Sequence, residues 1–158
     1  MINTKYLIIA DDDRDDQILL REAIDDYSSP PKISTVSDGC QLMDMISDSE
    51  LPDLVLLDLN MPNKNGLECL SEIRSNDKFK NIKIVILSTS KDIRDIEACY
   101  NNGANLFFSK PYTFESLKTL IHSVLNINWN EFPSMLNKHQ FIRVATESKL
   151  SNLVLIEN

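Results

Sequence analysis

The sequence predicts an α/β fold: a doubly wound, five-stranded parallel sheet covered by five helices. Three observations carry this. Short apolar runs alternate with longer segments whose apolar residues recur at helical spacing. The runs are apolar at consecutive positions rather than at every second one, as strands buried on both faces require. The chain has 158 residues, enough for one domain with a full core.

The elements follow in order. Tyr6–Ala10 is the first strand. Leu19, Leu20, Ala23 and Ile24 give Arg14–Tyr27 a helical face, and Ser28-Ser29-Pro30-Pro31 stops it. Lys32–Val36 is a weaker second strand. Ser37-Asp38-Gly39 turns and caps a second helix with Leu42, Met43 and Ile46 inward. Pro52-Asp53 opens the third strand, Leu54–Leu57. A loop from Asn60 to Gly66 leads to helix three, with Leu67, Leu70, Ile73 and the stem of Arg74. Ile82–Leu87 is strand four. Ile93, Ile96, Ala98, Cys99 and Tyr100 form helix four, ended by Asn101-Asn102-Gly103, a C-cap signal. Leu106–Phe108 is strand five. Thr113 caps helix five, with Phe114, Leu117, Leu120, Ile121, Val124 and Leu125 inward and an end near Ile127.

In such a sheet, function collects at the carboxyl ends of the strands. Asp11 and Asp12 follow strand one, Asp58 follows strand three, Ser88 strand four and Lys110 strand five. A lone buried carboxylate is costly, and converging carboxylates raise one another's pKa. A hard divalent cation relieves both, and oxygen ligands suit Mg²⁺. Asp58, flanked by Mg²⁺, Lys110 and the Ser88 hydroxyl, suits a nucleophile toward phosphorus, giving an aspartyl phosphate. Singly, these residues have plainer roles: Asp58 a turn before Pro62, Ser88 a helix cap, Lys110-Pro111 a solvated turn. Their joint placement carries the argument. Of the other acids in LIIADDDRDD, Asp13, Asp15 and Asp16 suit the start of helix one, and Asp16 adds to the field over the pocket.

The stretches LIIADDD, VLLDLNMPNKNGLECL, IVILSTS and NNGANLFFSKP come in this order across about residues 3 to 127. With them the chain resembles the receiver domain of two-component response regulators. The resemblance implies the flavodoxin-like strand order 2-1-3-4-5. It implies Asp58 as phosphoacceptor, Asp12 as direct Mg²⁺ ligand, Asp11 acting through water, and the Asn60 backbone carbonyl on the metal. Ser88 is then the switch hydroxyl, Phe107 the switch aromatic, and Lys110 the phosphoryl-binding lysine, followed by Pro111 in what is often a cis bond. Phe107 lacks the hydroxyl of the more usual Tyr. Leu59 and Met61 offer no evident help to a hydrolytic water, so the lifetime of the phosphoryl group stays open. DLNMPNKNGLECL, the Ser-Thr-Ser after strand four, Asp95 to Asn105 and Trp129 are similar to stand-alone regulators paired with phytochrome-type histidine kinases.

The resemblance implies a protein that catalyses only its own phosphorylation and dephosphorylation. A sensor histidine kinase or histidine phosphotransfer protein supplies the phosphoryl group, and the helix 4–strand 5–helix 5 face switches. Residues 1–128 form the receiver. Residues 129–158 are too few for an effector core, which needs roughly 60 residues. Their apolar content, from Trp129 and Phe132 to Leu153–Ile156, is poor for a disordered tail. They are expected to pack on the receiver, a second copy of the chain or a partner, and residues 152–158 suit an added edge strand.

A net charge of −8 argues against direct nucleic-acid or membrane binding. No run reaches the roughly 18 apolar residues of a membrane span, and the N-terminal apolar run is too short for a signal peptide. A cytoplasmic location is expected. Cys40, Cys69 and Cys99 lack metal or disulfide spacing and are expected as small apolar helix residues. Three rivals compete. A phosphatase of the haloacid-dehalogenase kind needs a second Asp where Asn60 stands. A flavodoxin-like FMN binder needs a phosphate-cradling loop where Asp11-Asp12-Asp13 stand. A pseudo-receiver binding module has no use for intact Asp12, Asp58, Ser88 and Lys110.

Overall fold

The computed structural model describes residues 4–150. Five parallel strands, β1 (Tyr6–Ala10), β2 (Lys32–Val36), β3 (Leu54–Leu57), β4 (Lys83–Ser88) and β5 (Leu106–Ser109), form one sheet in the order β2-β1-β3-β4-β5. The central strands β1 and β3 are buried along their whole length. This is why their sequences are continuous apolar runs: each side chain meets a helix on one face or the other. Edge strand β2 is exposed or half-buried except at Val36, which accounts for its weaker signal.

Among the described residues there are six α-helices: α1 (Arg14–Asp25), α2 (Gly39–Asp48), α3 (Gly66–Arg74), α4 (Ile93–Asn101), α5 (Phe114–Leu125) and α6 (Lys138–Glu147). Helices α1 and α5 pack together, and α2 packs on α3. The first five match the expected elements, although α1 ends at Asp25 and α5 at Leu125, and Leu19, Ile93 and Phe114 stay over a third exposed. Helix α6 corrects the expectation of five helices. It begins with a reciprocal capping box: Asn137 accepts from the Gln140 amide at 2.9 Å, and the Asn137 amide donates to Gln140 Oε1 at 3.1 Å. It lies against β5 and α4 and buries Phe141, Val144 and Ala145. So residues 129–150 pack on their own chain, while the edge strand expected over residues 152–158 lies outside the described residues.

Cys69 and Cys99 are buried as expected, but Cys40 is exposed on α2. No peptide bond among the described residues is cis, so Pro111 follows a trans bond. No helix among them is long and apolar enough to cross a membrane.

Candidate functional site

The carboxyl edge of the sheet brings the strand-end residues together. Asp11 and Asp58 extend the ladders one residue past their strands: the Asp11 amide donates to Val36 O at 3.1 Å and the Asp58 amide to Ala10 O at 2.9 Å. The chain then doubles back behind Asp58, with the Gly66 amide on Leu59 O at 2.9 Å. A Cβ at Gly66 would lie 2.2 Å from the Asp58 carbonyl oxygen, so only glycine allows this approach. On β4, Ser88 is buried; its hydroxyl oxygen accepts from the Ser90 amide at 3.1 Å, and its carbonyl accepts from the Lys110 amide at 2.8 Å.

Lys110 is the hub. Its Nζ lies 2.8 Å from Asp11 Oδ2, 2.8 Å from Asp16 Oδ2 and 3.5 Å from Asp58 Oδ2. Burial alone would depress its ammonium, but hydrogen bonds to Asp11 and Asp16 and the charge of Asp58 raise its pKa instead. Burial, reinforced by the Asp11 charge, pushes the Asp58 carboxyl up to about 6 against the pull of Lys110 and the Asn60 amide. Burial also raises Asp11, opposed by Lys110 and the Asp13 amide. The site therefore holds more buried negative charge than Lys110 offsets.

One carboxylate oxygen from each of Asp11, Asp12 and Asp58 lies within 4.8 Å of the other two. Two are buried and Asp12 is exposed. An all-oxygen set of surplus negative charge, open on one side, fits a hard divalent cation that keeps some of its water. Asn60 is exposed, with its amide 3.5 Å from Asp58 Oδ1. Leu59 and Met61 beside it are buried, and Phe107 is fully buried on β5 opposite Ile86.

Two expectations gain detail. Asp13 caps α1, accepting from the Asp15 and Asp16 amides at 2.9 and 3.2 Å. Asp16 does more than add to the field, since it is a direct partner of Lys110. Gln17 belongs to the site without standing out in the sequence: its side-chain amide donates to Asp11 O at 2.6 Å and to Val36 O and Ser37 Oγ at 3.2 Å. Its one signal is a lone amide in the first turn of a helix that starts at the functional edge. At the end of β2, Asp38 caps α2 and accepts from Asn63, so that strand end serves local structure. A cavity of about 410 Å³ between Thr4, Asp53, Lys83 and Trp129 lies at the opposite edge and holds none of the site residues.

A model of the response regulator receiver domain matches residues 7–122. The chain belongs to this family. It is 29% identical over 126 residues to the response regulator Rcp1 of Synechocystis sp., spanning 76% of this chain and 86% of that protein. It is 29% identical over 132 residues to the sporulation initiation phosphotransferase F of Bacillus subtilis, spanning 82% of this chain and all of that protein. Among solved structures, the phosphorylated cyanobacterial phytochrome response regulator RcpA aligns at 32% identity and a TM-score of 0.72, covering 77% of this chain and 91% of that one. The Mn²⁺-bound form of Rcp1 aligns at 28% identity and a TM-score of 0.73, covering 84% and 99%. The receiver fold and the likeness to phytochrome regulators thus stand as the sequence implied.

Proposed function

We propose that this receiver takes a phosphoryl group onto Asp58 from a phosphohistidine of a sensor kinase or phosphotransfer protein. The observation that carries the reading is the gathering of Asp11, Asp12 and Asp58 at one sheet edge, with Lys110 paired to Asp11 and reaching Asp58. An Asp58 carboxylate oxygen forms the new bond to phosphorus as the phosphorus–nitrogen bond of the donor breaks, and the imidazole leaves with a proton. Lys110 is placed to follow the developing charge on the phosphoryl oxygens. The Ser88 hydroxyl already accepts from Ser90, which leaves its hydrogen to donate to one of those oxygens. Mg²⁺ bound by Asp11, Asp12, Asp58 and the Asn60 carbonyl would neutralise charge on the transferring group. The new dianion draws Ser88 and Lys110 toward itself, and the strand ends move with them. The protein turns over no separate substrate in this reading.

The likeness to RcpA, a phytochrome response regulator, favours a donor of the phytochrome-linked kinase class. The likeness to the sporulation phosphotransferase is also compatible with a place inside a relay. Incubation with acetyl phosphate or phosphoramidate and Mg²⁺, followed by intact mass measurement, tests the acceptor. The wild type is expected to gain one phosphoryl group and Asp58→Asn none. A labelled Asp58→Asn protein overturns the assignment.

A further inference from the structure

The face made by α4 and β5 is already occupied. Helix α6 lies across it: Phe141 packs against Tyr100 of α4 with ring centroids 5.3 Å apart and planes tilted by 55°, and Lys138 pairs with Glu97 at 3.5 Å. The approach to α6 is pinned where the Asn105 side chain, at the start of β5, donates to Ser134 O at 3.3 Å. Three of the ten residues of α6, Phe141, Val144 and Ala145, are buried in this seat.

The two walls of the seat lead from the ends of the neighbouring strands β4 and β5, at Ser88 and Lys110. Ser88 Oγ accepts from the Ser90 amide, and Ser90 Oγ accepts from the amide of Asp92, which caps α4. Ser109 Oγ of β5 donates to Ser90 O at 3.4 Å, and β5 runs directly into Lys110. A groove of about 530 Å³ continues from Ser109, Lys110 and Tyr112 to Ala145 and Thr146. The seat therefore spans a seam between one element tied to Ser88 and another tied to Lys110. Packed surfaces fit one arrangement and resist gradual deformation. The present seat fits the arrangement in which Lys110 is held by Asp11 and Asp16 at 2.8 Å.

We infer that α6 is a built-in occupant of the α4–β5 face, and that charge added at Asp58 releases it by shifting α4 against β5. The inference rests on Asp58 being the phosphoacceptor. Because the coupling is reciprocal, loosening α6 must also favour the occupied site.

The test uses the full chain with acetyl phosphate and Mg²⁺. Intact mass reads the labelled fraction, and amide hydrogen exchange over residues 138–147 reads α6. In the labelled protein α6 is expected to exchange about tenfold faster, within the usual range of coupling between two sites. Peptides from β1 and β3 stay protected, and Asp58→Asn shows neither change. No mass gain overturns the acceptor assignment and this inference with it. A mass gain with α6 exchange within twofold overturns the inference alone. In the reverse direction, Val144→Ala, and Lys138→Gln as a second variant outside the core, loosen α6. Each is expected to bind beryllofluoride with Mg²⁺ more tightly than wild type, by up to about tenfold. Unchanged affinity in a variant whose α6 exchange has risen also overturns it.

Discussion

Asp58 is a carboxyl group that its surroundings make costly to ionise. Its pKa rises from the ordinary 3.8 to about 6 in the fold. The folded chain then holds this proton more tightly than the unfolded chain does. The contribution to stability is full below the ordinary value and is lost as pH rises through about 6, on the order of 1–3 kcal/mol. Asp58→Asn removes the ionisation. It is expected to raise the melting temperature of the metal-free protein at neutral pH and to change it little near pH 4, as read by calorimetry. Equal shifts at both values would contradict the assigned cause. Protons and a cation compete for the same oxygens, so Mg²⁺ affinity should fall as pH drops through about 6. The acids of the first loop divide by role in the same way. Asp12→Ala should remove Mg²⁺ binding in a titration. Asp13→Ala should keep it and lose about 1 kcal/mol of stability, since Asp13 caps α1 through two amides. The site is legible at this scale because strand ends follow from apolar runs, and four such ends name most of its residues. Asp16 and Gln17 are less legible, because their partners depend on how α1 is rotated over the edge.

The strands of the buried sheet can be read nearly to the residue, since a short, continuous apolar run in an alternating chain fits little besides a strand covered on both faces. Strand β4 differs by one position at each end, running Lys83–Ser88 where Ile82–Leu87 is expected, a shift that terminal pairing decides. Helix α6 is the element that the sequence leaves least defined. Its cue is the Asn137…Gln140 spacing ahead of Phe141, Val144 and Ala145, a capping box before an apolar stripe. A helix of ten residues is marginal by itself. Its persistence therefore depends on both the cap and the seat. Asn137→Ala is expected to destabilise α6 by about 1 kcal/mol. Hydrogen exchange should then quicken across residues 138–147 while the amides of β1 and β3 keep their protection. Uniform loss of protection across the sheet would mean that α6 folds as one unit with the core.

At the scale of the whole molecule, the carboxyl edge gathers the carboxylates and Lys110 of the proposed site, and the amino edge ties the layers together. Arg74, at the end of α3, is the main clasp. Its Nε donates to Gly103 O at 2.8 Å, Nη1 to Ile82 O at 2.9 Å and Nη2 to Asn105 Oδ1 at 2.9 Å. Asn105 passes the link on, accepting from the Ile84 amide at 2.8 Å and donating to Ser134 O. One guanidinium thus joins α3, β4, the turn after α4 and the segment leading to α6. Gly103 has φ +89°, and a Cβ there would come within 3.0 Å of Arg74 Cγ, so the turn and the clasp require each other. The sequence shows the Asn-Asn-Gly stop and the apolar stem of Arg74. The clasp itself is not legible there, because two of its partners lie 29 and 31 residues away. Arg74→Met keeps the stem and removes the donors. It leaves two carbonyls and the Asn105 side chain short of partners, a loss of about 2–4 kcal/mol once water reaches some of them. At roughly 3 °C per kcal/mol for a chain of this size, the melting temperature should fall by about 6–12 °C. Arg74 bridges the starts of β4 and β5, whereas Asp58 and Lys110 follow the ends of β3 and β5. Labelling of Asp58 at temperatures well below the transition should therefore match wild type. A variant that melts normally would show that the clasp contributes no net stability, and one that is stable but unlabelled would show that the two edges are coupled.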